Sequence, residues 1–242
     1  MIGLGTIVNM LAIIAGGGLG LLIKGGLKQK IQDTLMQACG LATIFIGIEG
    51  TLSGMFTVTN GTIETSGTLL LIGSLVIGGL IGEVIDLEEK IDHLGEKLKF
   101  LVKVQSDTKF VDGFVTATLV VCVGAMAVVG SIQDGLTGDP SMLYTKALLD
   151  GIIVLIFASV FGIGAIFSAI PLGIYQGLIT LGAVLIAPYL TGALISELSY
   201  IGSALIFGIG INICFGKKIK VGNLLPALLV PVAYEIIKNF IR

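Results

Sequence analysis

The sequence predicts an all-α fold, a polytopic transmembrane helical bundle. Three observations carry this. Only 12% of its 242 residues are charged while 55% are hydrophobic. The mean hydropathy is +1.04. And the apolar residues fall into runs of membrane-spanning length. A soluble domain carries about 25% charged residues; at half that level the chain could not cover its surface with polar groups. Thirty-six glycines suit membrane helices. Tryptophan is absent, so interfacial anchoring falls to Tyr and Phe. A net charge of −2 without a basic block points away from nucleic acid. The expected partners are the lipid bilayer and a small polar or ionic solute.

A hydrocarbon core of about 30 Å needs about 20 apolar residues per helix. The qualifying runs are 2–23, 34–54, 67–85, 110–131, 147–168, 171–190, 199–216 and 222–240, in a single integral membrane domain covering 1–242. The first lacks a basic segment before it and is expected to be a retained span rather than a secretory signal. It holds GGGLG at 16–20, flanked by apolar residues. The spacing fits neither phosphate-loop pattern. Gly16 and Gly20 form a GxxxG pair, which lets membrane helices approach backbone to backbone. The third run repeats the first: 5–20 aligns without gaps on 67–82, so Gly16, Gly17 and Gly20 correspond to Gly78, Gly79 and Gly82. Gly162 and Gly164 in the fifth run, and Gly208 and Gly210 in the seventh, complete the set. These clusters mark either tight helix packing or a path lined by exposed backbone.

Between the second and third runs, 56–65 alternates apolar and polar residues around Asn60-Gly61, a hairpin signal. After the third, residues 84–102 put Val84, Leu87, Ile91, Leu94, Leu98 and Leu101 on one stripe, an amphipathic surface helix. The stretch from Lys146 to Glu197 is too long for one span, and Pro171 offers a break. Pro188, Pro226 and Pro231 mark further breaks, and the last run, which holds Pro226, Pro231 and Glu235, is either an eighth span or a broken or re-entrant segment. Seven or eight spans result. Lys24, Lys28 and Lys30, then Lys90 to Lys109, then Lys217, Lys218 and Lys220 fall on one side, which the positive-inside rule makes the cytoplasm. The N-terminus is therefore expected outside and helix 84–102 inside.

Polar residues within spans are expensive and mark function by default. Glu49, Asp134, Lys146, Asp150 and Glu235 are the ionisable candidates, and all fall toward the outer side. They form either an acidic vestibule or solvated span ends. Lys146 and Asp150 stand one helical turn apart and are able to pair. Asn9, Gln176 and Asn212 are amides that serve either as interhelical glue or as solute contacts. Thr116, Thr118, Ser159, Ser168 and Thr180 can bond to their own helix. The lone histidine, His93, lies on the solvated helix, so Ser-His and metal-His chemistry is absent from the spans. No metal, no cofactor and no enzymatic activity are expected. Cys39, Cys122 and Cys214 lie in or beside apolar runs without ligand spacing and are expected to be free thiols.

Gly-Thr-x-x-Asn at 5–9, FVDGFVTATLVVCVGAMAVVGSIQDGLTGD at 110–139, KALLDG at 146–151, GIGAIFSAIPLGIYQG at 162–177 and NLLPAL at 223–228 together resemble a bacterial family of multi-pass membrane proteins. It is the domain-of-unknown-function 554 family, the YqgA/YdfK-like proteins. The resemblance covers nearly the whole chain. It implies the inner (plasma) membrane of a bacterium, and it brings no reaction and no catalytic residue. It draws attention to Asn9, Asp112, Gln133, Asp134, Lys146 and Asp150, which sit in the matching stretches.

The expected function is a transporter or channel for a small polar, cationic or zwitterionic solute, working as a homo-oligomer. Its path runs from Glu49, Asp134 and Asp150 past the amides to the glycine clusters. The alternative is a scaffold or regulator that acts through helix 84–102.

Overall fold

The computed structural model describes residues 2–24, 28–59, 61–104, 107–122, 125–186 and 190–241. The expected turn residue Asn60 and the expected break at Pro188 lie outside them. In chain order the elements are α1 (Leu4–Lys24), α2 (Gln29–Met55), β1 (Phe56–Thr59), β2 (Thr62–Thr65), α3 (Thr68–Val84), α4 (Leu87–Leu101), α5 (Phe110–Cys122), α6 (Ala125–Thr137), α7 (Ser141–Phe161), α8 (Ala169–Ile186), α9 (Gly192–Phe215), α10 (Val221–Leu224) and α11 (Leu229–Ile241). 3-10 turns at Ile163–Ser168 and Leu225–Leu228 lead into α8 and α11. The fold is an all-α membrane bundle, joined among the described residues by an antiparallel strand pair that registers Phe56 with Thr65 and Thr59 with Thr62.

Burial is inverted relative to a soluble protein. Leu22, Leu69 and Leu181 are 78%, 86% and 82% exposed on their helices. Asn9 and Gln176 are fully buried. In water that arrangement would be costly; in hydrocarbon it is the favourable one. Among the described residues, five helical segments are long and apolar enough to cross a membrane: Leu4–Lys24, Lys30–Met55, Ser141–Phe161, Ile163–Leu185 and Gly192–Phe215. Two bent pairs, α3 with α4 and α5 with α6, raise the number to seven if each is one span.

Several boundaries differ from the sequence expectation. The 110–131 run is bent by 60° between Phe110–Cys122 and Met126–Thr137. Helix 84–102 starts at Leu87, after a 60° bend where Asp86 takes φ +48°. Pro171 does not break a helix. It is the third residue of α8, in a first turn whose N–H groups lack intrahelical acceptors anyway. The break comes earlier, at Gly162, whose φ of +95° ends α7 and favours glycine. The 222–240 run is divided into α10, a 3-10 turn carrying Pro226, and α11 carrying Pro231.

The chain divides into two compact units, Met1–Cys39 with Asp92–Leu190, and Gly40–Ile91 with Thr191–Arg242. In the first unit α1 lies along α7. Gly5 meets Leu143, Gly16 meets the Gly151 carbonyl and Gly20 the Leu155 carbonyl, so the two helices run parallel. A side-chain carbon at Gly16 or Gly20 would overlap those carbonyls. Gly17 faces Ile166, and Gly164 sits on the Phe110 carbonyl.

In the second unit the repeated cluster packs in a similar way. Gly78 lies on the Ala227 backbone, Gly82 on the Asn223 carbonyl, and Gly79 against Leu224. Gly210 meets the Ile44 backbone, and Gly208 faces Val221 and Ile219. Tyr200, Ile201 and Ala227 form a core there with Met55, Leu70, Leu71, Leu75 and Leu228. The bend between α3 and α4 is held by α10. Asn223 Nδ2 donates to Glu83 (2.7 Å), and its Oδ1 accepts from Glu88 N (2.7 Å), capping α4. Glu88 in turn accepts from Gly222 N (3.1 Å) and pairs with Lys217 (2.9 Å).

Candidate functional site

Asn9, Asp134, Lys146, Asp150 and Gln176 gather in the half of the first unit's bundle where α1 begins. α7 supplies Lys146 and Asp150, whose spacing of four residues puts both on one face. Lys146 Nζ donates to Asp150 Oδ1 (2.8 Å) and Oδ2 (2.7 Å). Both residues are buried, at 6% and 3% exposure. From α1, Asn9 Nδ2 donates to Asp150 Oδ2 (2.9 Å) and reaches Gln176 Oε1 of α8 at 3.5 Å. Four side chains from three helices thus form one network, although 141 residues separate Asn9 from Asp150 and 167 separate it from Gln176.

The network is incomplete. Asn9 Oδ1 and Gln176 Nε2 are buried and have no hydrogen-bond partner. One turn toward the start of α1, Asp134 of α6 is fully buried. Its Oδ2 accepts from Gly5 N (3.2 Å), a free donor of α1's first turn, and its Oδ1 has no partner. The Thr6, Thr118 and Thr180 hydroxyls are likewise unpartnered. Other hydroxyls on these helices bond to their own backbone: Ser131 to the Ala127 carbonyl (2.6 Å), Ser159 to Ile156 (2.7 Å) and Ser168 to Ala165 (2.7 Å). Most buried polar atoms in proteins are paired, so a cluster of unpaired ones needs an explanation. Beyond this polar half lie Gly16 and Gly20, where backbone rests on backbone and leaves no room for a side chain.

The remaining candidates are placed elsewhere. Asp134, Lys146 and Asp150 are buried within the first unit rather than solvated at span ends. Glu49 is exposed on α2 and Glu235 half-buried on α11, both in the second unit. Asn212 holds a loop: its Nδ2 donates to the Ile219 carbonyl (2.7 Å) while its Oδ1 accepts from Lys218 N (2.8 Å) and Ile219 N (2.9 Å). Gln133 donates to Asp139 (2.7 Å) in the turn before α7, and Asp112 is exposed at the start of α5. Thr6 escaped the sequence reading. Its signal is the three-residue spacing from Asn9, which puts the two on one face of α1. Among the described residues no group of three or more His, Cys, Asp or Glu side chains is placed to hold a metal ion.

Residues 4–236 match the model of a family described as protein of unknown function (DUF554). The chain belongs to this family. The DUF554 chain is 37% identical over 227 residues to the uncharacterized membrane protein YdfK of Bacillus subtilis, covering 94% of this chain and 93% of that one. It is 30% identical over 231 residues to the uncharacterized protein YqgA of Escherichia coli, covering 94% of each. No solved structure matches it significantly. The matched range includes the four residues of the polar network, Asn9, Lys146, Asp150 and Gln176, and also Asp134.

Proposed function

We propose that this protein carries a small polar, cationic or zwitterionic solute across the membrane, and that Asn9, Lys146, Asp150 and Gln176 form its binding station. The observation that carries the reading is a buried ion pair flanked by unpartnered donors and acceptors, inside a bundle whose outer surface is apolar. A buried ion pair is a poor stabilising device, because well-packed apolar residues do as well. Ionisable groups inside membrane helices therefore suggest substrate or ion handling. In the empty state Lys146 neutralises Asp150; an arriving solute competes for the same carboxylate. The glycine contacts of α1 with α7 form the closed side of the station. The break at Gly162, between α7 and α8, resembles the interrupted helices that many transporters use near their sites.

The reading includes a bacterial inner-membrane location. It places the start of α1 outside, since the lysine-rich segments then face the cytoplasm. The polar half would then be nearest the external solution.

The test is a thermal-shift screen of the purified protein against cations, amino acids and small metabolites, followed by flux in proteoliposomes. A ligand that binds only the folded state stabilises it by about 2.7 kcal/mol at a hundred times its Kd. The expected result is a saturable rise in Tm that is absent in Asp150→Asn, together with solute-dependent flux. A panel without any shift, together with vesicles that move no solute, would end the reading.

A further inference from the structure

We infer that the solute is a small zwitterion, carrying one ammonium and one carboxylate; this rests on the transport reading above and names its substrate class. The network offers two acceptors and two donors to an incoming molecule. The acceptors are the Asp150 carboxylate and the unpartnered Asn9 Oδ1. The donors are the Lys146 ammonium and the unpartnered Gln176 Nε2. An ammonium needs the first two and a carboxylate the second two.

Charge balance favours the same class. Lys146 and Asp150 neutralise each other in a site almost closed to solvent. A zwitterion entering between them divides one ion pair into two and leaves no charge alone. The solute ammonium takes Asp150, and Lys146 takes the solute carboxylate. A simple cation at Asp150 would leave Lys146 without its counter-ion, and a simple anion at Lys146 would leave Asp150 without one. An unpaired charge in such surroundings is strongly disfavoured. A rival carboxylate for a displaced Lys146 is Asp134, buried in the same half of the bundle with its Oδ1 free. A cation site would therefore need the Asp134 charge, whereas a zwitterion site would not.

Matched series separate these cases. Glycine, alanine and β-alanine are each compared with the corresponding amide, a cation, and the corresponding deaminated acid, an anion. Binding to the purified protein is measured by thermal shift and by equilibrium titration. The expected result is that at least one zwitterion binds about tenfold or more tightly than its amide and its acid. Asp150→Asn and Lys146→Gln abolish that binding, and Asp134→Asn leaves it. The double variant Lys146→Met/Asp150→Leu removes both charges at once and avoids an unpaired one. It should remain monodisperse on gel filtration and still lose binding.

Preference for the amide, or loss of binding in Asp134→Asn, would overturn the zwitterion and leave transport of a cation standing. Preference for the acid would overturn it in favour of an anion. Retained binding in the double variant would place the site elsewhere. No binding by any member, with no flux in vesicles, would remove both the inference and the reading it rests on.

Discussion

Lys146 and Asp150 show how strongly a buried charge depends on its partner. Lys146 Nζ sits within 2.8 Å of both carboxylate oxygens, and little solvent reaches either residue. Removing one partner leaves the other charge uncompensated, which costs about 3–5 kcal/mol. Lys146→Met and Asp150→Leu should each lower Tm strongly. The double variant should recover most of that loss, and a double-mutant cycle of unfolding free energies measures the coupling. Glycine matters at the same scale. Gly16→Ala pushes a methyl group into the Gly151 carbonyl, and overpacking of that kind costs about 1–3 kcal/mol. Gly18→Ala, one face away, meets open space and should be neutral or slightly stabilising in the same thermal assay.

Elements in this protein are ended and joined by polar side chains. Asn212 makes three hydrogen bonds to the loop after α9, at 2.7, 2.8 and 2.9 Å. Asn212→Ala should cost about 1–3 kcal/mol, since it strips partners from backbone groups. Amide exchange at Lys218 and Ile219 should speed up accordingly. The loop's other anchor is Lys220, paired with Glu83. That hydrogen bond, and the nearby negative charges, raise the Lys220 pKa above its ordinary 10.5. A raised pKa in the folded state gives stability that is fully present below the unfolded value and lost as pH rises through the folded one. The Tm gap between the protein and Lys220→Met should therefore be constant from about pH 6 to about pH 10, close above that, and shrink in acid as the partner Glu83 is protonated. Asp139 works in the opposite sense. Hydrogen bonds from Ser141, then Gln133, hold its carboxyl below the ordinary 3.8. Its contribution is present above that value and lost as pH falls through the folded one, so Asp139→Asn should matter at neutral pH and not in strong acid. Both side chains face solvent, and the effects are small.

At the scale of the whole molecule, the two units use their glycine clusters alike and their polar residues differently. The repeat that aligns 5–20 with 67–82 gives both units a glycine-faced helix resting on backbone. It also sets Asn9 opposite Leu71, so the amide that joins the polar network has an apolar counterpart. The network of Asn9, Lys146, Asp150 and Gln176 lies within the first unit. Exposed Leu94, Phe100 and Leu101 on α4 form the surface a scaffold would use. Replacing all three with serine should leave solute-dependent thermal stabilisation unchanged, whereas a protein that acts through that helix should lose its partner.

The class of the fold and most spans were legible in the sequence, because apolar runs near 20 residues have no other stable home. The Lys146–Asp150 pair and the glycine pairs were legible because both are local, fixed by spacings of four residues. Element ends were less so. Pro171 is compatible with a break and with a helix start, and the neighbouring chain decided for the start. The polar network was not legible, since Asn9, Asp150 and Gln176 meet only after helices far apart in sequence pack together. Nor could spacing alone tell that Asn212 and Gln133 are spent on loops while Asn9 and Gln176 keep atoms unpaired. Composition alone fixed where this chain must live, through the free energy of moving apolar surface out of water. Only tertiary packing decided which buried polar groups remain unmatched, because a hydrogen bond depends on distances that no linear spacing sets.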